Sequence, residues 1–238
     1  MERMDVCRAG RYSIDVLYED NHLLVVVKPA NMPVQRDASG DLDLLTALKD
    51  YIGKKYDKPG AVYLGLVHRL DRPVGGVMVF ARTSKAAQRL SREFSDHTAV
   101  KEYLAVVEGT LEGEREFEDT LYKDERTGMV RVVEEGFPGG KLARLSTCPL
   151  VRQGGTTLVR VRLYTGRPHQ IRVQHASRGL PLWGDNRYGR GRPGQPIALF
   201  AWRLQVTHPT RREPMTFCAL PSGGAFEAYR PALEEWTE

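Results

Sequence analysis

The sequence predicts an α+β fold in which a mostly antiparallel sheet is flanked by helices. In the first hundred residues, apolar strands alternate with amphipathic helices, which is typical of mixed helix-and-sheet packing and not of an all-β barrel. From residue 98 the apolar spacing changes to the two-residue period of strands. Five such runs follow one another with glycine-containing turns between them, and we interpret them as an antiparallel meander.

The first half of the chain contains a short series of strands and helices. In order, the predicted elements are strands at 13–17 and 23–27, a helix at 42–56, a buried strand at 77–80 and a helix from 84 to about 94. Each helix follows residues whose side-chain oxygens can accept hydrogen bonds from the first turn. These are Asp41 or Asp43 for the first helix and Thr83 or Ser84 for the second.

The second half begins with the five predicted strands, near 100–109, 115–122, 129–134, 141–151 and 156–164. A helix to about residue 178, strands at 197–207 and 214–219, and a closing helix at 227–236 follow. Pro168 suits the first position of the first of these helices, and Gly179 suits its C-terminal cap. Because no linker long enough to divide the chain is visible, we predict one domain at 13–238 after an N-terminal extension at 1–12.

The composition is that of an ordinary soluble globular protein of 238 residues, with 41% hydrophobic and 27% charged residues. A net charge of +5 and an isoelectric point of about 9.1 permit a polyanionic partner without requiring one. No apolar run approaches ~20 residues, which excludes a membrane-spanning helix, and the first residues lack the apolar core of a secretory signal. The three cysteines form no C-x-x-C pair, so we predict no disulfide framework and a reducing, cytoplasmic location.

One stretch, LVHRLDRPVGGVMVFAR at 66–82, places ionisable groups between two apolar runs. Pro73 fixes one backbone angle and the pair Gly75–Gly76 permits positive φ, so a sharp, stiff connection should precede a strand that is buried on both faces. If the approach to it is extended, Arg69 and Asp71 share one side. A carboxylate on a rigid loop between buried strands is a candidate reactive group. The alternative is that Asp71 only caps a turn or pairs with a neighbouring arginine.

Two further polar stretches, KEY at 101–103 and GRPHQIR at 166–172, interrupt apolar patterns. Taken singly, each has a structural explanation, because a tyrosine on an apolar strand is usually a core residue and a helical arginine is usually solvated. His169 and His175 have no third ligand at a suitable spacing, so no metal site is predicted.

Taken together, these stretches resemble the RluA-type pseudouridine synthases, the family that isomerises uridine in ribosomal or transfer RNA. The resemblance covers nearly all of the chain and rests on five motifs in the same order as in that family. They are VVVKPANMPVQ at 25–35, VHRLDRPVGGVMVFAR at 67–82, VKEYLAVVEG at 100–109, GRPHQIRVQHASRGLPLWGDNRYG at 166–189 and LFAWRLQVTHP at 199–209. Five motifs in one order make chance similarity a poor explanation.

The resemblance implies roles for individual residues. Asp71 would be the catalytic aspartate, and Arg172 would pair with it. Tyr103 would stack on the target base, and Arg69 would fill the space that the base leaves in the RNA. The other candidates for contact with the RNA or the base are His68, Arg72, Arg167, His169, Arg187, Arg190 and Arg192, with Arg211 and Arg212 as further candidate phosphate contacts. For the basic segments at 187–192 and 211–212, a solvated loop is the alternative.

The resemblance also has implications for the fold and for the ligands. It implies a mixed, mostly antiparallel central sheet flanked by helices, with a central cleft that holds the RNA. It further implies that neither a cofactor nor a metal is needed.

The chemistry explains why a single catalytic carboxylate suffices. Pseudouridine formation breaks the bond between ribose C1′ and N1 of uracil and joins C1′ to C5 of the same base. A carboxylate suits an anomeric carbon, as in retaining glycosidases, and the uracil anion needs no second acid because its charge is delocalised over two carbonyls. Attack at C6 of the base and removal of the 2′ proton are the other roles for Asp71, and the sequence leaves all three open.

The sequence departs from the common family pattern at three places. After HRLDR, many members have a polar residue and then Thr-Ser-Gly, where this chain has PVG at 73–75 before Gly76. Pro168 stands where threonine is common, and Gln174 stands where histidine is common. We expect activity with altered loop rigidity or substrate fit. We also expect no N-terminal S4 RNA-binding domain, so that the catalytic domain recognises its own substrate.

We therefore predict a stand-alone, monomeric RNA pseudouridine synthase that acts on structured ribosomal or transfer RNA. A protein that binds or chaperones RNA without catalysis is the alternative. An intact set of Asp71, Tyr103 and Arg172 argues against it, because a pure binder has no need for a buried carboxylate. A nuclease or phosphotransferase would need clustered acids for metal or a histidine pair, and neither is evident.

Overall fold

The computed structural model describes residues 5–192 and 194–235, which fall into two compact units. The first unit contains residues up to 100 together with 201–219, and the second contains 101–200 and the residues from 220 onward. No helix within the described ranges is long and apolar enough to cross a lipid bilayer.

Twelve strands and four α-helices are described along the chain. The strands are β1 Asp5–Ala9, β2 Tyr12–Glu19, β3 Leu23–Lys28, β4 Gly65–Leu66, β5 Gly75–Ala81, β6 Val100–Glu108, β7 Arg115–Lys123, β8 Val130–Val133, β9 Lys141–Gln153, β10 Thr156–Leu163, β11 Leu199–Thr207 and β12 Pro214–Cys218. The helices are α1 Leu44–Lys55, α2 Ser84–Ser95, α3 Gln170–Ala176 and α4 Arg230–Glu235, and a 3-10 helix at Gly224–Tyr229 precedes α4. The predicted α+β class is confirmed.

The first unit is built on a sheet with the order β1-β2-β3-β5-β11, in which β4 also pairs with β5 and β12 pairs with β11. Antiparallel pairing joins β3 to β5, with Val25 opposite Val79. Every residue of β5 is buried, which explains its unbroken apolar sequence. Helix α2 covers this sheet through Ala86 and Leu90, which lie in one core cluster with Val25 of β3 and with Val77 and Val79 of β5.

The second unit contains a sheet with the order β6-β10-β9-β7-β8. The five strands predicted here are present and their pairings are antiparallel, but the prediction of a simple meander is wrong. The hairpins β7–β8 and β9–β10 pair with each other through β7 and β9. Strand β10 is therefore left at the side where β6 pairs with it, and β6 does not pair with β7, the next strand in the chain. Helix α3 packs on this sheet, where the ring of His175 meets the ring of Phe117 edge to face with centroids 5.1 Å apart.

Two local predictions need correction, and one strand was not predicted. Residues 5–9, inside the predicted N-terminal extension, form a strand that pairs with β2. Helix α3 begins at Gln170 and not at Pro168, because His169 adopts a left-handed conformation with φ of 52°. The closing helix is shorter than predicted and starts at Arg230, and Trp236 lies outside the described residues. No observation tests the division into a 1–12 extension and one domain, which stays a prediction.

Gly76 is a position that no other residue can fill without strain. Its φ is +129°, and a Cβ built there would lie 2.7 Å from the Cα of Ala201 in β11. The backbone of β11 therefore approaches the start of β5 where only a hydrogen fits. The sequence suggested that this glycine serves a sharp connection, and the close approach is a second reason for it.

We predict that Gly76→Ala lowers the free energy of unfolding by about 3 kcal/mol, because backbone strain and overpacking act together. Chemical denaturation at neutral pH measures this loss. Gly60→Ala is the matched control, since Gly60 also has a positive φ but has no atom within 4 Å of its built Cβ. If the two variants lose equal stability, the close approach of β11 contributes nothing.

Candidate active site

The loop between β4 and β5 presents Asp71 at the edge of the first unit's core. Asp71 is half-buried, Leu70 is buried and Arg69 is exposed, in agreement with the predicted alternation of side chains. The backbone N–H of Val74 donates to the carbonyl of Asp71 at 3.0 Å, which closes a four-residue turn that contains Pro73. Asp71 thus lies on a short, tightly folded segment that leads directly into buried strand β5.

A buried ammonium group holds this loop through hydrogen bonds to its backbone. Lys28, at the end of β3, is fully buried, and its Nζ donates to the carbonyls of Pro29 at 3.0 Å, Arg72 at 3.0 Å and Val74 at 2.7 Å. These three bonds match the three N–H donors of an ammonium group. Burial lowers the pKa of Lys28 to about 7, with the Asp71 carboxylate opposing this effect and Arg72 adding to it. Sequence reasoning did not single out Lys28, although it lies in the KP pair of the first motif.

His68 and Arg72 make contacts within the first unit. The ring of His68 stacks on Phe94 of α2 with centroids 4.4 Å apart, and its Nε2 accepts a hydrogen bond from the backbone N–H of Val79 at 3.1 Å. Arg72 forms ion pairs with Asp37 and Asp41. Both residues therefore help to fix the loop, and their predicted contact with RNA stays a prediction.

The second unit carries Tyr103 and Arg172. Tyr103 is 9% exposed on β6, opposite Val161 of β10. Arg172 is 4% exposed on α3.

Arg172 has a carboxylate partner that sequence reasoning missed. Its Nε and Nη2 donate to the two carboxylate oxygens of Asp185, each at 2.7 Å, in a bidentate pair that is almost completely buried. Asp185 also accepts the backbone N–H groups of Arg187 and Tyr188 at 2.8 and 3.1 Å. Burial alone would raise the pKa of Asp185, but Arg172 and these N–H groups hold it below its usual value. Asp185 is the only acid in the arginine-rich segment 178–192, and this was the signal in the sequence that could have identified it.

Tyr188 extends the network around Arg172. The Arg172 guanidinium carbon lies 5.2 Å from the centroid of the Tyr188 ring. The Tyr188 hydroxyl lies 2.6 Å from Nδ1 of His169 and accepts the backbone N–H of Val130 at 3.0 Å. Arg187 donates to the carbonyl of Thr127 at 3.1 Å, and its predicted phosphate contact stays a prediction. The segment after α3 is thereby fastened to the β7–β8 hairpin.

The turn before α3 is shaped by a buried glutamine. The side-chain oxygen of Gln170 accepts bonds from the Thr165 hydroxyl at 2.8 Å and from the backbone N–H of Arg167 at 3.0 Å. These bonds fix the turn through Pro168 that precedes the helix. Arg167 is half-buried and donates from Nε to the carbonyl of Leu142 at 2.8 Å.

The remaining candidate RNA contacts lie on the surface. Arg190, Arg192, Arg211 and Arg212 are all exposed. In residues 5–192 and 194–235 no group of three or more His, Cys, Asp or Glu side chains is arranged to hold a metal ion.

The model of the RNA pseudouridylate synthase family matches residues 22–177. The chain belongs to this family. It is 36% identical over 215 residues to the ribosomal large subunit pseudouridine synthase D of Nitrosomonas europaea, covering 85% of this chain and 60% of the relative. It is 31% identical to the tRNA pseudouridine synthase C of Pasteurella multocida, covering 87% of this chain and 91% of that relative. The chain therefore spans less than two thirds of one of these family members and nearly all of the other.

Solved structures show the same fold. Human RNA pseudouridylate synthase domain containing 4 superposes with a TM-score of 0.71 at 24% identity, covering 87% of this chain and 88% of that one. Human RNA pseudouridylate synthase domain containing 1 gives a TM-score of 0.70, also at 24% identity, and covers 93% and 94%. The fold predicted from the family resemblance is thereby confirmed.

We predict that Asp185→Asn lowers the free energy of unfolding by ~3–5 kcal/mol, because Arg172 loses the charge that compensates it in a buried setting. Urea denaturation at pH 7 measures the change. Glu125→Gln is the control, since it breaks the exposed pair with Lys123 and should cost less than ~1 kcal/mol. Equal, small losses for both variants would contradict the anchoring role of Asp185.

The buried His175 should make stability depend on pH. Burial lowers its pKa to about 4, so the unfolded chain, with a pKa near 6.5, binds one more proton between these values. The free energy of unfolding therefore falls as the pH drops from 6.5 towards 4, by up to ~1.4 kcal/mol per pH unit from this group.

His175→Gln removes this dependence. We expect the stability difference between wild type and variant, measured by urea denaturation, to be constant above pH 7 and to shift in favour of the variant below pH 6.5. A difference that does not change between pH 5 and pH 8 would show that His175 titrates normally.

Proposed function

We propose that this chain isomerises uridine to pseudouridine in RNA, with Asp71 as its catalytic residue. The observation that carries the proposal is the HRLD carboxylate, presented on a loop that the buried Lys28 clamps through three carbonyls, in a member of this family. A clamp of this kind supports a catalytic role because a reactive group must be held in place before the substrate arrives.

In the proposed site, Tyr103 and Arg172 act together with Asp71. Arg172 compensates the charge of the Asp71 carboxylate, and Tyr103 stacks on the target base. Asp185 uses the Nε and one Nη2 hydrogen of Arg172, so the pairing with Asp71 must use other N–H groups of the same guanidinium. Held on one side by Asp185, Arg172 is preorganised for a second anion.

The reaction moves the base without adding or removing atoms overall. The C1′–N1 bond breaks, C1′ bonds to C5, the hydrogen on C5 is lost, and N1 gains a proton. Asp71 acts at C1′, at C6 or at the 2′ proton, and each of these roles requires the carboxylate to be ionised and close to the nucleoside.

A uridine within an RNA helix must leave its stack to reach Asp71, at a loss of a few kcal/mol. Stacking on Tyr103 returns ~1–3 kcal/mol of this loss. Arg69 is exposed two residues before Asp71 and fills the gap that the base leaves in the RNA stack.

The RNA substrate is either ribosomal or transfer RNA. Both kinds appear in the names of family members at similar identity to this chain, 36% for the large-subunit enzyme and 31% for the tRNA enzyme. We also propose that the protein works as a monomer in the cytoplasm. None of the cysteines in the described residues forms a disulfide, which supports a reducing compartment.

We predict that Asp71→Asn abolishes pseudouridine formation while leaving RNA affinity within a few-fold of wild type, because the substitution removes the charge and keeps the shape. Pseudouridine mapping of total RNA measures this in cells that lack the gene and are complemented with wild type or variant. The sites that wild type restores also identify the substrate as ribosomal or transfer RNA. Sites restored equally by both versions would refute the assignment of Asp71, and the absence of any gene-dependent site would refute the enzyme.

A further inference from the structure

Lys101 is a half-buried lysine beside the proposed catalytic tyrosine. It lies on β6 two residues before Tyr103, so both side chains project from the same face of the strand. In the register of the sheet it stands opposite Leu163 of β10, next to the Tyr103–Val161 pair. The sequence assigned it no role, although it opens the KEY stretch.

Within the described part of the chain, no acid compensates the charge of Lys101. No hydrogen bond or ion pair joins its Nζ to another of these residues, and the charged side chain that influences it is a second cation, Arg167. Burial, followed by this repulsion, lowers the pKa of Lys101. Burying an uncompensated charge is unfavourable, so the arrangement suits a chain that binds an anion at this place.

The turn before α3 lies next to the Lys101 ammonium. A Cβ built on Gly166 would be 3.7 Å from Nζ, so the absence of a side chain at 166 leaves this side of the ammonium open. Arg167 follows in the same turn and is held at its Nε by the Leu142 carbonyl. The Lys101 ammonium thus lies beside an exposed glycine, and the next residue in the chain is the cation whose charge influences it.

We propose that Lys101 and Arg167 bind a backbone phosphate of the substrate RNA, at the nucleotide whose base stacks on Tyr103. This inference rests on the proposed function. Lysine supplies a compact charge and arginine a planar set of donors, and both suit phosphate oxygens. Residues two apart on a strand are about 7 Å apart, comparable with the reach from a nucleobase to the phosphate of its own nucleotide. Lys101 and Tyr103 are therefore spaced to contact the phosphate and the base of one nucleotide.

Stability separates this role from a structural one. If Lys101 only packs its aliphatic stem, Lys101→Met should leave RNA binding unchanged. If Lys101 serves a ligand, the same variant should unfold at an equal or higher temperature than wild type, because an uncompensated charge is removed, and it should bind RNA more weakly.

The first measurement is the salt dependence of binding to a fluorescein-labelled RNA hairpin with a uridine loop. Loss of one phosphate contact in a single-stranded loop reduces the slope of log Kd against log salt by about 0.7. We expect this for Lys101→Met, with recovery in Lys101→Arg. Lys123→Met, which changes the net charge equally but at an exposed pair with Glu125, should keep the wild-type slope. A wild-type slope for Lys101→Met would overturn the proposal.

The second measurement replaces the loop phosphates one at a time with neutral methylphosphonates. Wild type should lose affinity at one phosphate by a factor that disappears in Lys101→Met, while the losses at all other positions persist. Equal losses in both proteins at every position would overturn the proposal, and would leave adventitious binding of free anions as the only role for this cation pair.

The outcome is independent of the test of Asp71. One result would be an affinity loss at one phosphate that disappears in Lys101→Met, found together with an active Asp71→Asn. It would refute the catalytic assignment and keep the phosphate site. An inactive Asp71→Asn without such coupling would refute only the phosphate site.

Discussion

The ammonium group of Lys28 is the constraint on which the presentation of Asp71 depends. A fully buried charge requires polar partners, and Lys28 finds them in three backbone carbonyls, two of which belong to the loop just after Asp71. The loop cannot move without leaving this charge unsolvated. The substitution of Pro73-Val74-Gly75 for the more polar residues common in the family therefore occurs where carbonyls, and not side-chain hydroxyls, hold the loop.

In the second unit the buried charge is the guanidinium of Arg172, and it too is fixed by hydrogen bonds. Arg172 is fixed by a bidentate bond to Asp185, which is fixed in turn by backbone N–H groups of the same segment. The ring of Tyr188 and its bond to Val130 extend this order to the β7–β8 hairpin. In the first unit backbone carbonyls satisfy a buried cation, and in the second unit two backbone N–H groups complete a buried ion pair. The position of each loop therefore becomes a property of the folded core.

Local patterns in the sequence were sufficient to predict most of the elements. Asp43 and Thr83 cap α1 and α2 as expected, since each accepts a hydrogen bond from a backbone N–H three residues later. The order of strands in the second unit could not be predicted, because the pairing of β6 with β10 spans about 50 residues and depends on two hairpins joining. The start of α3 was misplaced because the left-handed conformation of His169 cannot be read from a local pattern.

The same distinction applies to the candidate site. Asp71, Tyr103 and Arg172 were found because each lies in a short motif. Lys28 and Asp185 lie in the quoted motifs too, but they were missed because their partners are 44 and 13 residues away and the contacts form only in the folded chain. Lys101 was missed for a different reason. It stands out only because no acidic partner compensates its charge among the described residues, and a sequence pattern does not show this.

The most direct test of the central claim is the crystal structure of Asp71→Asn with an RNA that the wild-type protein modifies. The decisive quantity is the distance from the side chain of residue 71 to the target nucleoside. We expect the uridine outside its stack, its base against the Tyr103 ring, and C1′, C6 or the 2′ carbon within ~3.5 Å of the substituted side chain. A uridine that remains stacked, or that lies well beyond contact distance of that side chain, would contradict the account.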